Sequence, residues 1–530
     1  MESHDAIVVG AGPNGLVAAN LLADAGWDVL VLEAADQPGG AVRTAEVTAP
    51  GFRNDLFSAF YPLAATMSPV NRLGLDRYGL RWAHAPAVVA NPVADGPAAV
   101  LYRSPDRTAA SLEQFAPGDG QAWLDLYARW RRVRGPLLGA LLGPFPPVRA
   151  ALGLGVKLGP RGLLPFARFA LLPVRRLAEE TFRGPGGGLL LAGCALHSDV
   201  SPEAPPSAFA GWLLASLGQD VGWPSPVGGA GELAAALVRR LEDRGGAVRC
   251  GARVERVLVE RGRARGVTVA GTAVGARRAV LADVDAVALF RQLVDREHLA
   301  PTFLSRLDGF QRGWGTVKVD WALRAPIPWT GPAVREGGTV HIGSTMDELT
   351  LASAELAAGR LPTEPLVVLG QMTTTDPTRS PAGTESAWAY THVPARIRGD
   401  GHGGAGRPLT GADVAEVVRR LERRIEELAP GFGDLVLARR VAGPADLEAA
   451  NANLVGGDIG AGTYQLHQQL VFRPWPGLGR AETPVRGLYL ASASAHPGGG
   501  VHGACGANAA RAALAHDRAG RAVVALSGRR

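Results

Sequence analysis

Cysteine is scarce in this chain. Among 530 residues there are three, Cys194, Cys250 and Cys505, and no two are spaced C-x-x-C. A redox-active dithiol, a zinc ribbon and a disulfide framework each need closer or more numerous pairs, so all three are excluded. No His/Asp/Glu/Cys group has metal-ligand spacing and no G-x-S-x-G elbow is present, so neither a metal nor a serine nucleophile is expected. Long apolar runs are also missing. A spanning helix needs about 20 predominantly apolar residues. In the most apolar region, 135–215, Pro144, Pro146, Pro147, Arg149, Lys157 and Arg161 interrupt every candidate. The long uncharged run at 487–510 is glycine-rich and partly polar. Basic arms are absent too. The net charge is +6, but the arginines are scattered, with small clusters at 129–135 and 276–280, so no nucleic-acid partner is expected. The N-terminus has no charged segment followed by an apolar one. The expectation is a cytoplasmic protein, with peripheral membrane contact through 135–215 as its one membrane option.

What is present begins at once. Residues 6–9 form a short apolar run, and Gly10, Gly12 and Gly15 follow as G-x-G-x-x-G. The first glycine permits the tight turn, the second the approach of a pyrophosphate, and the third the close packing of helix on strand. Residues 14–25 read as a helix whose N-terminal N–H groups face phosphates, and Gly26 ends it. Residues 27–32 read as the second strand. Glu33 then stands where an acid accepts from a ribose hydroxyl.

The continuation "QPGGAVRT" adds a second glycine pair, Gly39 and Gly40, and Arg43. A nicotinamide unit needs neither. Here the chain resembles the FAD-dependent amine oxidase and phytoene desaturase superfamily, in which the glycine pair and the arginine run along the pyrophosphate and the flavin edge. The loop "PGFRNDLFSAFYP" (50–62) corresponds to one that lines the flavin in that family.

Further along, a helix at 232–243, strands at 247–250 and 253–259, and a hairpin to 265–270 bring back a Rossmann-type element in mid-chain. The cofactor domain is therefore read as discontinuous. Residues 310–440 change to strands such as "GTVKVDWAL" and "PLVVLGQMTT", then a long amphipathic helix. The region 135–215 reads either as helices around an apolar substrate tunnel or as an arginine-flanked surface at a bilayer interface. No internal repeat is visible.

The C-terminal stretch "VRGLYLASASAHPGGGVHGACGANAARAAL" (485–514) reads as strand, glycine turn and small-residue helix. The positive end of that helix suits an electron-rich ring beside it. With its His496-Pro497-Gly498 core, this stretch resembles the closing motif of bacterial carotenoid desaturases of the phytoene desaturase type. The upstream "GGDIGAGTYQLHQQLVFRPWPG" resembles the phytoene dehydrogenase-related branch, and His502 stands where a desaturase has proline.

The resemblance implies an α/β fold: a discontinuous Rossmann-type FAD-binding domain with a second α+β substrate domain. The expected segments are 1–90, 221–300 and 441–530 for the cofactor, and 91–220 and 301–440 for the substrate. It implies FAD contacts at Gly10, Gly12, Pro13, Asn14, Gly15, Glu33, Ala34, Gly39, Gly40, Arg43, Val254, Ser494, Gly500, Val501 and His502, with the Val254 backbone against the adenine edge.

The implied function is an FAD-dependent oxidoreductase that moves a hydride to or from a long apolar, polyene or isoprenoid-like molecule. The reaction would be desaturation, isomerisation or reductive cyclisation, as in natural-product biosynthesis. Alternatives are an oxygen-using amine or porphyrinogen oxidase, whose aromatic cage is not identifiable here, and a flavin-binding scaffold. Candidate catalytic groups are His502 and His496 beside the glycine turn, and Lys318, by analogy with the lysine that related amine oxidases hold near the flavin through a water. The alternatives are histidines bonded to backbone carbonyls and a lysine on the solvent side of its strand. Cys505, at a helix start, has two readings: a thiol of lowered pKa, or only the small residue that the motif position demands. His84, His197 and His467 read as ordinary.

Overall fold

The computed structural model describes residues 2–94, 96–398, 406–477 and 479–527. The apolar run after the N-terminus becomes the strand Ser3–Val9, with its last five residues buried. It lies between Val29–Leu32 and Thr272–Ala282, parallel to both, with Val8 opposite Val31 and Leu281. Its neighbours complete one sheet in the order Val254–Glu260, Arg263–Val269, Thr272–Ala282, Ser3–Val9, Val29–Leu32, Ala247–Arg249. Leu488–Leu490 adds to it in parallel beside residues 280–282. The N-terminal, middle and C-terminal segments thus share one sheet.

Helices Pro13–Asp24, Gly231–Asp243 and Ala504–Ser527 cover one face of this sheet. Their apolar residues Leu16, Leu233, Leu237 and Ala507 pack with Val8, Val31 and Leu281 in one core. The other face is closed by Leu289, Phe290, Phe303 and Trp475.

A second sheet runs Val436–Ala442, Gly315–Leu323, Glu385–Val393, Val367–Gln371, Gly337–Ile342, Ala87–Asn91, Ala99–Leu101. It is antiparallel apart from the parallel pair Gly337–Ile342 and Ala87–Asn91. Its first strand in the chain, Ala87–Asn91, lies across the expected boundary at residue 90. The outer face, with Val319, Trp321, Leu323, Val340 and Leu369, packs on Val417, Leu421 and Ile425 of the helix Gly411–Leu428. That helix is closed at its start by a Thr410–Asp413 capping box.

Part of the opposite, inner face packs on a helical layer that includes Asp119–Leu142, Pro185–Ala195 and Ser207–Val221, where Trp123, Trp130 and Trp212 are fully enclosed. The apolar stretch of the sequence therefore divides. The helices Pro185–Ala195 and Ser207–Val221 are largely buried. The helices Val148–Leu158 and Pro160–Leu171 stand at its edge, and no residue of the first is buried.

Candidate cofactor and substrate site

The glycine turn is built by contacts only glycine permits. Gly10 has φ +96° and donates its N–H to the Leu32 carbonyl (2.8 Å). A β-carbon on Gly12 would lie 2.7 Å from Asp283 Oδ2, and one on Gly40 would lie 3.0 Å from the Gly12 Cα. Gly39 donates to the Ala11 carbonyl (2.9 Å). The second glycine pair thus lies directly on the first turn, the physical reason both are needed. Arg43 is held over this junction: Nε donates to Gly40 O (3.0 Å), Nη2 to Ala450 O (2.7 Å), and the guanidinium lies 5.2 Å from the Phe57 ring centre. Glu33 accepts from the N–H groups of Ala11 (2.7 Å) and Ala35 (2.9 Å). Gly251 and Ala252 donate to the carbonyls of Ala35 and Glu33, which brings the start of the strand containing Val254 beside Glu33.

The two sequence motifs meet at the first helix. A β-carbon on Gly506 would collide with the Asn14 carbonyl, and one on Gly503 would lie 2.6 Å from Val17 Cγ2. The start of the C-terminal helix therefore crosses the start of the helix Pro13–Asp24. Pro13 occupies the first turn of that helix, where its missing N–H costs nothing. Asn14 Oδ1 is buried and has no partner, and Ala34 is exposed. Gly500 has φ +107° and abuts Leu63, and Val501 packs on the cofactor-side core. An unpartnered amide oxygen, bare glycine backbone and an acid after the second strand fit a dinucleotide laid across this turn.

Several groups that carry the site have no motif to announce them. Asp283 follows the third parallel strand, is 6% exposed, and accepts from the Gly15 N–H (2.8 Å). Burial pushes its carboxyl up to about 7, against the pull of that N–H. Its ordinary value is about 3.9, so the folded state holds the proton longer than the unfolded state. The stability contributed by that proton is fully present below pH ~4 and is lost as pH rises through ~7. Glu385 is buried with the same direction of shift, so the slope alone does not isolate Asp283. Asp283→Asn is expected to gain on the parent protein as pH rises from about 5 to about 8, measured by denaturant unfolding at each pH. A constant difference would contradict the buried-carboxyl account.

Asp285 accepts from Arg312 through both oxygens (2.6 and 2.8 Å) and from the Ser494 hydroxyl (3.2 Å). Ser494 in turn accepts from Ala286 N–H (3.2 Å). Ser494 therefore ties the C-terminal motif to the mid-chain crossover. Asn453 clamps both acids, accepting from Asp285 N–H (2.8 Å) and donating to Asp283 O (3.1 Å). Arg473 is fully buried and donates to the carbonyls of Gly460, Ala461, Thr463 and Ala493.

The candidate catalytic groups fall in three places. His502 is 2% exposed, and its Nδ1 accepts from the Ala504 N–H (2.9 Å), capping the C-terminal helix. Burial pulls it down to about 4 against hydrogen bonds to the Gly498–Gly499 backbone, so it is neutral near pH 7. His496 donates Nε2 to Gly143 O (3.2 Å) and meets Phe145 edge-on. Both histidines thus have backbone partners, His502 at the turn and His496 at the end of the helix Asp119–Leu142. Cys505 fits the small-residue reading: burial pushes its thiol up to about 12, so it is a packed group rather than a thiolate.

Lys318 lies in the second sheet, opposite Tyr390, and its strand is buried along its whole length. It points to the inner face, 4% exposed, and pairs with Asp320. Burial draws the ammonium down and the carboxyl up, so the pair is held without net charge. Arg440 stands 3.9 Å from the other Asp320 oxygen.

The inner face is a roof of aromatic and histidine side chains. Trp388, Tyr390 and His392 alternate along one strand, and the Trp388 and Tyr390 rings are parallel with centroids 6.0 Å apart. Trp388 also lies 6.1 Å from Phe60 and 5.9 Å from Lys318 Nζ. Phe60 belongs to the loop after Arg43. Asp55, in that loop, forms a fully enclosed ion pair with Arg379 (2.7 Å). A β-carbon on Gly499 would collide with the Tyr464 hydroxyl, and burial, with Tyr464 beside it, raises the pKa of Tyr390. The roof, the 54–60 loop and the glycine turn therefore enclose one region. Sequence reasoning missed the roof because its members come from distant strands. Among the described residues no three His, Cys, Asp or Glu side chains form a metal site.

Residues 8–70 match the model of the NAD(P)-binding Rossmann-like domain. Over 96% of its length the chain is 29% identical to the mouse pyridine nucleotide-disulfide oxidoreductase domain-containing protein 2, covering 92% of that protein. It is 27% identical to the zeta-carotene-forming phytoene desaturase of Myxococcus xanthus, covering 93% of this chain and 90% of that one. It is 24% identical to the neurosporene-forming phytoene desaturase of Cereibacter sphaeroides, covering 97% and 95%. In fold it is similar to a solved oxidoreductase from Methanosarcina mazei (TM-score 0.59, 15% identity, 97% of this chain and 100% of that one). It is similar also to cyclohexylamine oxidase from Brevibacterium oxydans (TM-score 0.56, 17% identity, 97% and 99%).

Proposed function

We infer that this chain is an FAD-dependent oxidoreductase that removes a hydride from a neutral, long apolar, isoprenoid-like molecule. The observation that carries the substrate reading is the roof. Burial holds His197, His341 and His392 below the usual imidazole range and Tyr390 above the usual phenol range, while Lys318 and Asp320 neutralise each other. A cationic amine would need a free carboxylate here, and Asp320 is engaged by Lys318 and faces Arg440. The names of the desaturase relatives support the same direction of electron flow.

When bound, FAD supplies the two-electron acceptor. In the Gly10–Gly15 turn the N–H groups of Gly12 and Asn14 would face its pyrophosphate, since those of Gly10, Ala11 and Gly15 are taken by Leu32, Glu33 and Asp283. Glu33 would accept from a ribose hydroxyl, and Arg43 with the glycine pair would set the path toward the C-terminal turn. The start of the C-terminal helix offers its dipole at that turn. Trp388, Phe60 and Leu63 exclude water from the face beneath the roof. Lys318 Nζ, anchored on Asp320, is the roof group able to exchange a proton. The test is turnover of the holoprotein with a quinone acceptor. Isoprenoids are expected to lose two hydrogens by mass spectrometry, while alkylamines remain intact. Consumption of the amines alone would overturn the reading.

The helical edge suits substrates drawn from a bilayer. Val148, Leu152, Val156 and Leu164 are exposed, the last two by 82% and 79%. Between residues 143 and 167 the charges are Arg149, Lys157 and Arg161, with no acid; Arg168, Arg175 and Arg176 beyond them are paired with Glu180, Glu203 and Glu179. Apolar side chains among cations, on helices too short to cross a membrane, suit the surface of an anionic bilayer. The protein is expected to float with anionic vesicles at low salt. Val156→Asp with Leu164→Asp should reduce the bound fraction about tenfold and leave unfolding unchanged. Equal flotation of the variant would contradict this.

A further inference from the structure

One cluster of the roof counts above only as uncharged lining. Tyr390 Oη lies 3.1 Å from His197 Nδ1, and His197 Nε2 lies 2.8 Å from His341 Nε2. The three side chains come from the strand Glu385–Val393, the turn after Pro185–Ala195, and the strand Gly337–Ile342. Trp223 packs edge-on against His197, 5.2 Å between ring centres, and stands 5.9 Å from His341. The far end of the chain is closed. His341 is 1% exposed, its Nδ1 has no partner, and a β-carbon on Gly193 would collide with it. The near end, Tyr390, is half-buried beside Tyr464, whose hydroxyl abuts the glycine turn.

Burial pulls His197 down to about 3 and His341 far below its ordinary value, so both rings are neutral. Two neutral imidazoles joined through nitrogen share one proton in that bond, which leaves two tautomeric arrangements. In one, His197 Nε2–H donates to His341, its bare Nδ1 accepts the Tyr390 O–H, and the phenol oxygen has lone pairs free. In the other, His341 donates to His197, His197 Nδ1–H donates to the phenol oxygen, and the Tyr390 O–H is free. The chain thus offers an incoming group either an acceptor or a donor, without any change of charge.

Enclosing three polar side chains costs free energy, and a pure hydrocarbon would repay none of it. Resting on the isoprenoid reading above, we propose that Tyr390, His197 and His341 form the binding site for a single neutral oxygen function, a hydroxyl or a carbonyl, on an otherwise apolar substrate. The alcohol would donate to the first arrangement and the carbonyl would accept from the second. A site that hydrogen-bonds such a group rejects the analogue lacking it, because its own polar atoms are then left dry and unpaired.

The test is equilibrium binding to the FAD-loaded protein, read by quenching of tryptophan fluorescence. The probes are geranylgeraniol, geranylgeranial and the hydrocarbon in which hydrogen replaces the oxygen function. Both oxygenated probes are expected to bind about tenfold or more tighter than the hydrocarbon. Tyr390→Phe should reduce that preference to less than about threefold while leaving the hydrocarbon affinity unchanged. His197→Phe, which keeps a ring against Trp223, should lower the preference in the same direction. Equal binding of all three probes, or a Tyr390→Phe loss shared by the hydrocarbon, overturns this proposal and leaves the isoprenoid reading standing. Failure of every probe to bind removes both.

Discussion

Arg473→Met is expected to yield a protein without bound flavin and destabilised by about 3–5 kcal/mol. Arg473 is 0% exposed and satisfies carbonyls at Gly460, Ala461, Thr463 and Ala493. Methionine fills much of the volume but donates nothing. Four carbonyl oxygens in a dry interior then lose a charged donor, at about 1 kcal/mol or more each. The damage is local to the cofactor, because Ala493 and Gly498 lie against this guanidinium and lead into the glycine turn. Flavin absorbance per protein and denaturant unfolding check the two halves separately. Arg473→Lys, which keeps the charge but loses the planar fork, should fall between. A stable Arg473→Met protein with full flavin content would contradict the role assigned here.

Asp55→Ala is the second large effect, about 3–5 kcal/mol of stability. Asp55 and Arg379 are both 0% exposed and paired at 2.7 Å. Asp55 also accepts from Thr44 Oγ1 (2.7 Å) and Ala230 N–H (2.8 Å), so it joins the loop after Arg43 to the start of the mid-chain helix. Removing one member leaves an uncompensated buried cation, which is costlier than the pair itself is favourable. The discriminating variant is the double replacement, Asp55→Leu with Arg379→Met. It should be more stable than Asp55→Ala alone, because no charge is then stranded. If the double variant is the less stable, Arg379 is satisfied by Arg53 O and Ser225 Oγ without Asp55, and the stranded-charge argument fails.

The parts of this site that were readable in sequence are those whose backbone geometry dictates residue type. Gly10, Gly12 and Gly15 follow from a turn that excludes side chains, and Gly39 and Gly40 from their packing on that turn. The strand-turn-helix at the C-terminus follows for the same reason. Asp283 was not readable, since one acid after a strand has no spacing to mark it. Arg473 was hidden because its partners are carbonyls, which every residue carries. The Tyr390–His197–His341 chain joins positions 193 and 144 residues apart. Lys318 was ambiguous for a different reason. Its strand is covered on both faces, so alternation of apolar and polar residues cannot show which side is solvent. Cys505 admits two readings in sequence because a helix N-terminus lowers a thiol pKa only where water or a cation can reach it, and only the structure shows that this one is sealed.

The most direct test of the central claim is anaerobic mixing of the purified holoprotein with a neutral isoprenoid, with an alkylamine and with NADPH, each alone, while the oxidised flavin band is followed. The account predicts bleaching by the isoprenoid and none by the amine, with electrons entering from the apolar molecule. Bleaching by the amine, or by NADPH alone with the isoprenoid inert, would contradict it.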